Sequence, residues 1–445
     1  MRPSKITTLT GLSIVIANMI GTGAFTSLGF QLNGLTNMSS VLTLWILGGV
    51  FALSGAFSYA EAGTIIKRSG GEYALLDAMY GPVTGYLSGW ISMTVGFAAP
   101  IALSVIAFTE YFPWTIPYPK GAGVVIIAII SWVHSRNLHS SSVFQNISTL
   151  LKVLIILAFI VIAIALPGYP ENNAGSGTSF FGEITSGAFA VSLIYVSYSY
   201  SGWNAAAYIT EGFGNPKKSL PVALIGGTLI VTVLYTLLQY SFLKHVPQSE
   251  LVNKVNVGSV TAMHMLGERF AVLFSGSLSL LLISGISAMI WVGPKVTAAI
   301  ARKYPLWSYF GENSNGIPVK ASWLQFVLSA LLLITGTFEQ IMIYCGILLT
   351  LSSLLVVIGI FKLRHRAVQP SGCFRSPLFP FFQIIFIVIS LWIIVFALIK
   401  SPHETSMGMI NLVIGLITYS FSKRKMSKPV ISSKLADSKS MSRTE

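Results

Sequence analysis

Long apolar stretches without a charged residue alternate with short polar segments along the chain. The first stretch, residues 6–60, holds no Asp, Glu, Lys or Arg and is long enough for two helices divided at the polar turn 31–34. A helix needs about 20 apolar residues to cross a bilayer. We therefore predict twelve membrane-spanning helices. They cover residues 8–30, 39–60, 83–109, 121–136, 143–166, 186–211, 219–243, 270–298, 321–338, 340–361, 378–399 and 405–422.

The composition supports this interpretation. Charged residues make up 9% of the 445 residues and hydrophobic residues 53%, whereas soluble domains carry about 25% charged residues. So few charges cannot cover a water-exposed surface, which excludes a soluble enzyme, a coiled coil and a disordered chain. An outer-membrane barrel would alternate polar and apolar positions instead. The fold class predicted is an all-α polytopic membrane protein.

The basic residues predict the orientation of the chain. With the N-terminus inside, 21 Lys and Arg residues fall on cytoplasmic positions and only 5 outside, as the positive-inside rule requires. We therefore expect both termini in the cytoplasm of a multi-pass protein of the cell membrane. The net charge of +14 is then a topology signal and predicts no nucleic-acid partner. Residues 423–445 read as a basic, disordered cytoplasmic tail that lies on the lipid surface.

Two spans contain residues that are unfavourable in a continuous helix. Span 1 carries Asn18-Met19-Ile20-Gly21-Thr22-Gly23, and span 6 carries Tyr198-Ser199-Tyr200-Ser201-Gly202-Trp203-Asn204. Glycine weakens a helix by about 1 kcal/mol relative to alanine. Unwound backbone is tolerated in a membrane only where it lines a cavity. Close packing through small residues is the alternative for either cluster alone.

The two clusters together are more informative than either one. Because span 6 is five spans after span 1, the clusters occupy matching positions in two five-helix units of opposite orientation, which is the sequence pattern that indicates a transporter site. A broken helix offers free N–H groups that attract a carboxylate and free carbonyls that attract an ammonium group. A zwitterionic α-amino acid fits both.

Several motifs resemble the amino acid–polyamine–organocation (APC) superfamily, especially its L-type amino acid transporter branch. They are Gly21-Thr22-Gly23-Ala24-Phe25 in span 1, Tyr59-Ala60-Glu61-Ala62-Gly63 with Ser69-Gly70-Gly71-Glu72-Tyr73 at the end of span 2, Gln145-Asn146 with Lys152 in span 5, Ser201-Gly202-Trp203-Asn204 with Asn215-Pro216-Lys217 after span 6, and Phe374-Arg375-Ser376-Pro377-Leu378 before span 11.

The resemblance implies a LeuT-like fold and alternating access. One transporter domain would cover residues 1–422, with repeat one at about 8–166, repeat two at about 186–361 and two extra helices at about 378–422. The substrate carboxylate would meet the N–H groups of Thr22 and Gly23, the amine would meet carbonyls of Met19, Tyr198 and Ser201, and Tyr198 would form an aromatic gate. The substrate-binding candidates are therefore Met19, Gly21, Thr22, Gly23, Tyr198, Ser201, Gly202 and Asn204.

Lys152 lies about nine residues into span 5, which is roughly 13 Å at 1.5 Å per residue. A lysine facing lipid there costs at least about 2.5 kcal/mol, so we expect it to face the protein interior; reaching the cytoplasmic headgroups is the alternative. By resemblance, this lysine stands where sodium-coupled relatives bind sodium, and it would hold broken span 1 in place. The sequence thus predicts sodium-independent transport, with a proton kept open as a coupling ion.

A side-chain pocket is the least specific prediction. Met93, Thr94 and Ala98 fall on one face of span 3, and core packing explains that face as well. Ala288 and Met289 on span 8 and Tyr344 on span 10 complete the candidate pocket.

No Asp or Glu lies near the middle of spans 1, 3, 6, 8 or 10, and the neutral Asn204 argues against a titrating carboxylate at its position. A neutral L-amino acid is therefore the preferred substrate, transported by exchange. The alternatives are a cationic amino acid or polyamine antiporter, a proton-coupled symporter and a non-transporting amino acid sensor. No enzyme, metal-site or cofactor motif is present, and the oligomeric state and any accessory subunit stay open.

Overall fold

The structure is a computed structural model that describes residues 6–136, 141–169, 179–313, 316–365 and 372–427. These residues are mostly helical, and a single bridge joins Ile6 to Phe213 among them. The predicted all-α membrane fold is therefore confirmed. The side chains of Gln145 and Asn146, and the predicted tail beyond residue 427, lie outside what is described.

A helix occupies each of the twelve predicted segments. In chain order they are α1 (Thr8–Met19, then Gly23–Thr26 and Leu28–Gln31), α2 (Met38–Ile66), α3 (Pro82–Tyr111), α4 (Pro119–Arg136), α5 (Ser141–Ala165), α6 (Gly187–Ser199, then the 3-10 turn Ala205–Gly212), α7 (Pro216–His245), α8 (Glu268–Lys303), α9 (Val319–Thr335), α10 (Phe338–Arg364), α11 (Phe381–Lys400) and α12 (Pro402–Ser427).

Short helices connect some of these segments. The one that bears on function is Gly71–Tyr80 between α2 and α3, called the loop helix below. Phe180–Ile184 precedes α6, Gln248–Leu251 and Val257–Leu266 lie between α7 and α8, and the 3-10 turn Pro305–Phe310 follows α8.

Polar residues at the helix ends explain where several helices begin. The Thr7 hydroxyl accepts a hydrogen bond from Thr10 N–H at 3.2 Å at the start of α1. At α10, Thr337 and Gln340 form a capping box, each side chain accepting from the backbone N–H of the other. Such side chains satisfy N–H groups that have no partner inside the helix.

Eight of the twelve helices are long and apolar enough to cross a membrane, counted over the described residues: α1, α2, α3, α7, α8, α10, α11 and α12. Among the others, α5, α6 and α9 contain shorter apolar stretches. The count of twelve spans therefore stays a prediction. Helix α3 is the most enclosed, with 78% of its apolar window buried, whereas α12 has 22%, which places α3 in the centre of the bundle and α12 at its edge.

The predicted end of span 2 is too early, because the first charged residue was taken as the boundary. Helix α2 continues past residue 60 to Ile66, and Glu61 is 1% exposed. Its carboxylate receives two hydrogen bonds at 2.7 Å from Arg364 on α10 and one at 2.8 Å from Ser376 N–H. A paired charge can remain inside a helix bundle. We call the end of the bundle where α2, α8 and α10 finish the basic end.

We expect Arg364→Lys to lower the free energy of unfolding of the purified protein by about 1–2 kcal/mol, and its melting temperature with it. Lysine keeps the charge but cannot form the two parallel hydrogen bonds that the guanidinium makes with Glu61, and a hydrogen bond to a charged group contributes about 1.5–3 kcal/mol. The measurement is the melting temperature in detergent.

Arg302→Lys is the matched control. Arg302 is 66% exposed and contacts Glu312 through one nitrogen at 2.6 Å, and exposed pairs of this kind contribute little. Equal melting temperatures for the two variants would contradict the assignment of Glu61–Arg364 as a stabilising pair.

Candidate functional site

The first interruption is in α1. Its first half ends at Met19, because Ile20 leaves helical geometry with ψ 82°, and the helix resumes at Gly23. The N–H groups of Thr22 and Gly23 donate to no backbone carbonyl in the part of the chain that the structure describes. Free N–H groups are typical of a helix start and carry partial positive charge. The break lies where the sequence predicted it.

The second interruption is in α6. The helix ends at Ser199, passes through a turn, and resumes as a 3-10 helix at Ala205. Gly202 in this turn has φ +98°, which favours glycine. The Tyr198 carbonyl accepts from Ser201 N–H at 2.8 Å. This turn also coincides with the predicted break.

The two interruptions touch each other. A Cβ atom added to Gly23 would lie 2.6 Å from Ser199 Cα, and one added to Gly202 would lie 2.7 Å from the carbonyl carbon of Asn18. The Ser27 and Ser199 hydroxyls are also 3.1 Å apart. Only glycine allows such close backbone contact, so these two glycines let the breaks pack directly against one another.

The polar groups at the contact are only partly unoccupied. The Met19 carbonyl already accepts hydrogen bonds from Gly21 N–H at 2.7 Å and from the Tyr235 hydroxyl of α7. The Ser201 carbonyl accepts no backbone hydrogen bond from any described residue. Of the three carbonyls predicted to meet the amine, those of Met19 and Tyr198 thus have partners already.

Tyr198 lies across the break of α1. Its side chain is 5% exposed, and its hydroxyl lies near the Thr22 side chain. Helix α10 packs on it, since a Cβ on Gly346 would lie 3.8 Å from Tyr198 Cβ. The ring is therefore held between α1, α6 and α10, and its role as a gate stays a prediction.

The contact made by Asn204 contradicts one prediction from the sequence. Its amide nitrogen donates to the carboxylate of Glu72 on the loop helix. The neutral residue at position 204 was taken to indicate that no carboxylate lies there, but one reaches Asn204 from a neighbouring element. Charged residues sought only within the spans do not include Glu72, because Glu72 lies on the loop helix. The signal available in the sequence is the preceding pair Gly70-Gly71, at φ +119° and +57°, which turns the chain back toward the bundle.

The predicted face of α3 is displaced. Residues Ser92–Gly96 form a π-helical turn, which inserts an extra residue and rotates the following positions relative to a regular helix. The Thr94 hydroxyl lies 3.1 Å from the amide nitrogen of Asn411 on α12, and Met93 packs in a small apolar cluster with the end of α8. Ala98 is fully buried. The structure does not bring the Thr94 side chain to the two breaks.

The other pocket candidates lie on α8 and α10. Ala288 and Met289 are half-buried, and the Met289 carbonyl accepts from Gln325 on α9 at 3.1 Å. The Tyr344 hydroxyl lies near the Asn411 side chain. Asn411 thus links two candidate residues to α12, a contact that the sequence did not indicate.

Lys152 faces the interior, as its depth in span 5 predicts. It is 8% exposed and lines a cavity of about 20 Å³ together with Gly21 of the α1 break and Leu281 of α8. Its ammonium nitrogen is 3.4 Å from the position a Cβ would take on Gly285. The alternative in which Lys152 reaches the membrane headgroups is therefore excluded.

A larger crevice lies at the end of the bundle opposite the basic end. Its volume is about 420 Å³, and its lining includes Phe30, Tyr195, Glu339 and Lys400. The rings of Phe30 and Phe338 stack at 5.8 Å between α1 and α10. Because Tyr195 is one helical turn before Tyr198, the crevice leads toward the breaks.

Known proteins with similar sequences are amino acid transporters. A sequence profile of the amino acid permease family matches residues 6–419. The serine/threonine exchanger SteT of Bacillus subtilis (strain 168) is 25% identical over 435 residues, covering 95% of this chain and 98% of the relative. The human b(0,+)-type amino acid transporter 1 is 32% identical over 255 residues, 55% and 52% of the two chains. The human cystine/glutamate transporter is 26% identical over 427 residues, 93% and 84% of the two chains.

The family match spans nearly the whole chain, including both interrupted helices, and these relatives are transporters and not enzymes. The chain is accordingly a multi-pass membrane protein of amino acid transport that belongs to the amino acid permease family of the APC superfamily.

Proposed function

We propose that the protein exchanges neutral L-amino acids across the cell membrane by alternating access, without sodium. The observation that carries the proposal is the contact between the two helix breaks, Gly23 against Ser199 and Gly202 against Asn18. The N–H groups of Thr22 and Gly23 receive the substrate carboxylate. The Ser201 carbonyl receives the ammonium group. Backbone dipoles of opposite sign then hold both charged ends of one small molecule.

The charged side chains near the breaks favour a substrate without net charge. Lys152 lines its cavity with residues of α1, α5 and α8, and we assign its charge to the carbonyl end of the first half of α1 and not to a substrate side chain. Both carboxylate oxygens of Glu72 already accept hydrogen bonds. Among the described residues at the breaks, no charged side chain is thus left to pair with an acidic or basic substrate side chain.

The relatives support exchange and leave substrate choice to experiment. One relative is by name a serine/threonine exchanger, and another a cystine/glutamate transporter. The first agrees with a small neutral substrate; the second shows that an acidic substrate must be tested.

The membrane arrangement completes the proposal. Twelve spans form two inverted repeats and two further helices, with both termini in the cytoplasm and the basic end facing inward. The 420 Å³ crevice is then the entry from the outer side. At the basic end, Ile6 and Gly212 join the start of α1 to the end of α6 at 2.8 Å, which keeps that side closed.

The experiment is counterflow in proteoliposomes loaded with each of the twenty amino acids in turn. We expect accumulation of small neutral amino acids that depends on an internal amino acid and is unchanged when choline replaces sodium. Imposing a proton gradient leaves the rate unchanged.

Each alternative has its own outcome. Preferred accumulation of arginine, lysine or a polyamine would replace the neutral exchanger with a cationic antiporter, and acceleration by an inward proton gradient would indicate a symporter. Binding of an amino acid without any flux would indicate a sensor. Sodium dependence would contradict the role assigned to Lys152.

A further inference from the structure

Glu72 is a buried carboxylate held by neutral groups. It is the second residue of the loop helix and is 5% exposed. Its Oε1 accepts from the Tyr59 hydroxyl of α2 at 3.0 Å and from the Asn204 amide, and its Oε2 accepts from the Tyr208 hydroxyl. Among the described residues it forms no ion pair. Burying a charge is unfavourable unless hydrogen bonds compensate it, so these three donors are needed to keep it there.

The same contacts tie the loop helix to the broken part of α6. Gly70 N–H donates to the Tyr208 carbonyl at 3.1 Å, and Glu211 N–H donates to the Ser69 hydroxyl at 2.9 Å. The Tyr208 hydroxyl also lies near the Ser92 side chain in the π turn of α3. The position of Glu72 relative to Asn204 is thus fixed from several sides.

The chemistry of this contact decides how the Asn204 amide is oriented. A carboxylate only accepts hydrogen bonds, whereas an amide has a donating NH₂ end and an accepting oxygen end. Asn204 must therefore turn its NH₂ group to Glu72. Its Oδ1 atom faces away from Glu72 and has no hydrogen-bond partner among the described residues. Asn204 directly follows the turn of α6 whose Ser201 carbonyl accepts no backbone hydrogen bond from a described residue.

We propose that Glu72 is a positioning residue for substrate binding: it orients Asn204 so that the amide oxygen, and not the NH₂ group, faces the substrate ammonium group. The inference rests on the proposed function. Glu72 does not touch the substrate; it acts by excluding the wrong orientation of an amide, which would bring NH₂ against the ammonium.

The test compares Glu72→Gln, Asn204→Asp and the double variant in proteoliposomes. Glutamine can present either end of its amide to Asn204, so the orientation is no longer defined, and we expect the KM for the exchanged amino acid to rise about fivefold with kcat retained, which corresponds to one lost hydrogen bond. Asn204→Asp alone sets two carboxylates together and also raises KM. In the double variant the introduced glutamine donates to the introduced aspartate, an oxygen again faces the substrate, and KM returns to within about twofold of wild type.

A second readout separates orientation from mere structural support. The 2-hydroxy acid analogue of the substrate lacks the ammonium group, so its inhibition constant should be nearly the same in wild type and Glu72→Gln, while that of the amino acid rises. A fall in melting temperature with an unchanged KM, or equal weakening of both compounds, would overturn the inference. Absence of exchange by the wild-type protein would instead refute the proposed function.

Discussion

Gly202→Ala is expected to reduce the initial exchange rate per folded transporter to below about a tenth of wild type. Alanine at φ +98° carries a backbone strain of roughly 1–2 kcal/mol. In addition, its Cβ would lie 2.7 Å from the Asn18 carbonyl carbon and oxygen and 3.0 Å from Met19 N. These are backbone atoms, which cannot rotate aside, so the two breaks must separate. The rate is measured by counterflow and normalised to the monodisperse protein.

Gly81→Ala is the matched control. Gly81 has φ +99°, and a Cβ added there would meet nothing within 4 Å. It therefore carries comparable backbone strain without contact between the breaks, and we expect a modest loss of stability with exchange retained. If both variants lose exchange equally, strain alone explains the result and the contact between α1 and α6 is not the functional feature.

The helix breaks could be predicted because their cause is local. Glycine and hydroxyl residues in the middle of two apolar stretches weaken the helix where they stand, and an offset of five spans places them in matching positions. What the sequence alone did not show is that Gly23 and Gly202 serve close contact as well as unwinding. Packing and unwinding, treated as alternatives for each cluster, occur together.

The side-chain pocket could not be predicted in the same way, because helical phase is cumulative. A single π turn at Ser92–Gly96 rotates every later residue of α3 by about 100° relative to a regular helix. Apolar residues surround the whole of a central helix such as α3, so no amphipathic pattern marks the change. Thr94, which lies inside this turn, is beside Asn411 of α12 despite its place on the predicted face.

Long-range polar contacts also could not be predicted from the sequence. Glu61 and Glu72 are eleven residues apart and belong to the same pair of motifs at the end of span 2. In the structure both are buried, but Glu61 pairs with Arg364 whereas Glu72 has only neutral donors. The difference depends on residues 132 to 303 positions away in the chain. Depth in a span, by contrast, is local, and it correctly placed Lys152 in the interior.

Lys152→Ala should lower the exchange rate by roughly tenfold to thirtyfold. The buried ammonium group and Gly21 line the same cavity, next to the end of the first half of α1, where unpaired carbonyls carry partial negative charge. A partly buried cation at such a helix end contributes up to about 2 kcal/mol, and that difference corresponds to the stated range. Without it, the α1 break is no longer held in the arrangement that binds substrate.

Lys120→Ala is the control for this experiment, because Lys120 also donates to a carbonyl at a helix end, that of Ile334 at 2.8 Å, but is exposed. Its exchange rate should equal that of wild type. Replacing sodium with choline should leave wild type and Lys120→Ala unchanged, since in both the fixed ammonium group of Lys152 supplies the positive charge next to the α1 break. Undiminished exchange by Lys152→Ala would refute the proposal that Lys152 holds the α1 break in place. A wild-type exchange rate that falls on removal of sodium would show that a mobile cation and not Lys152 supports the break.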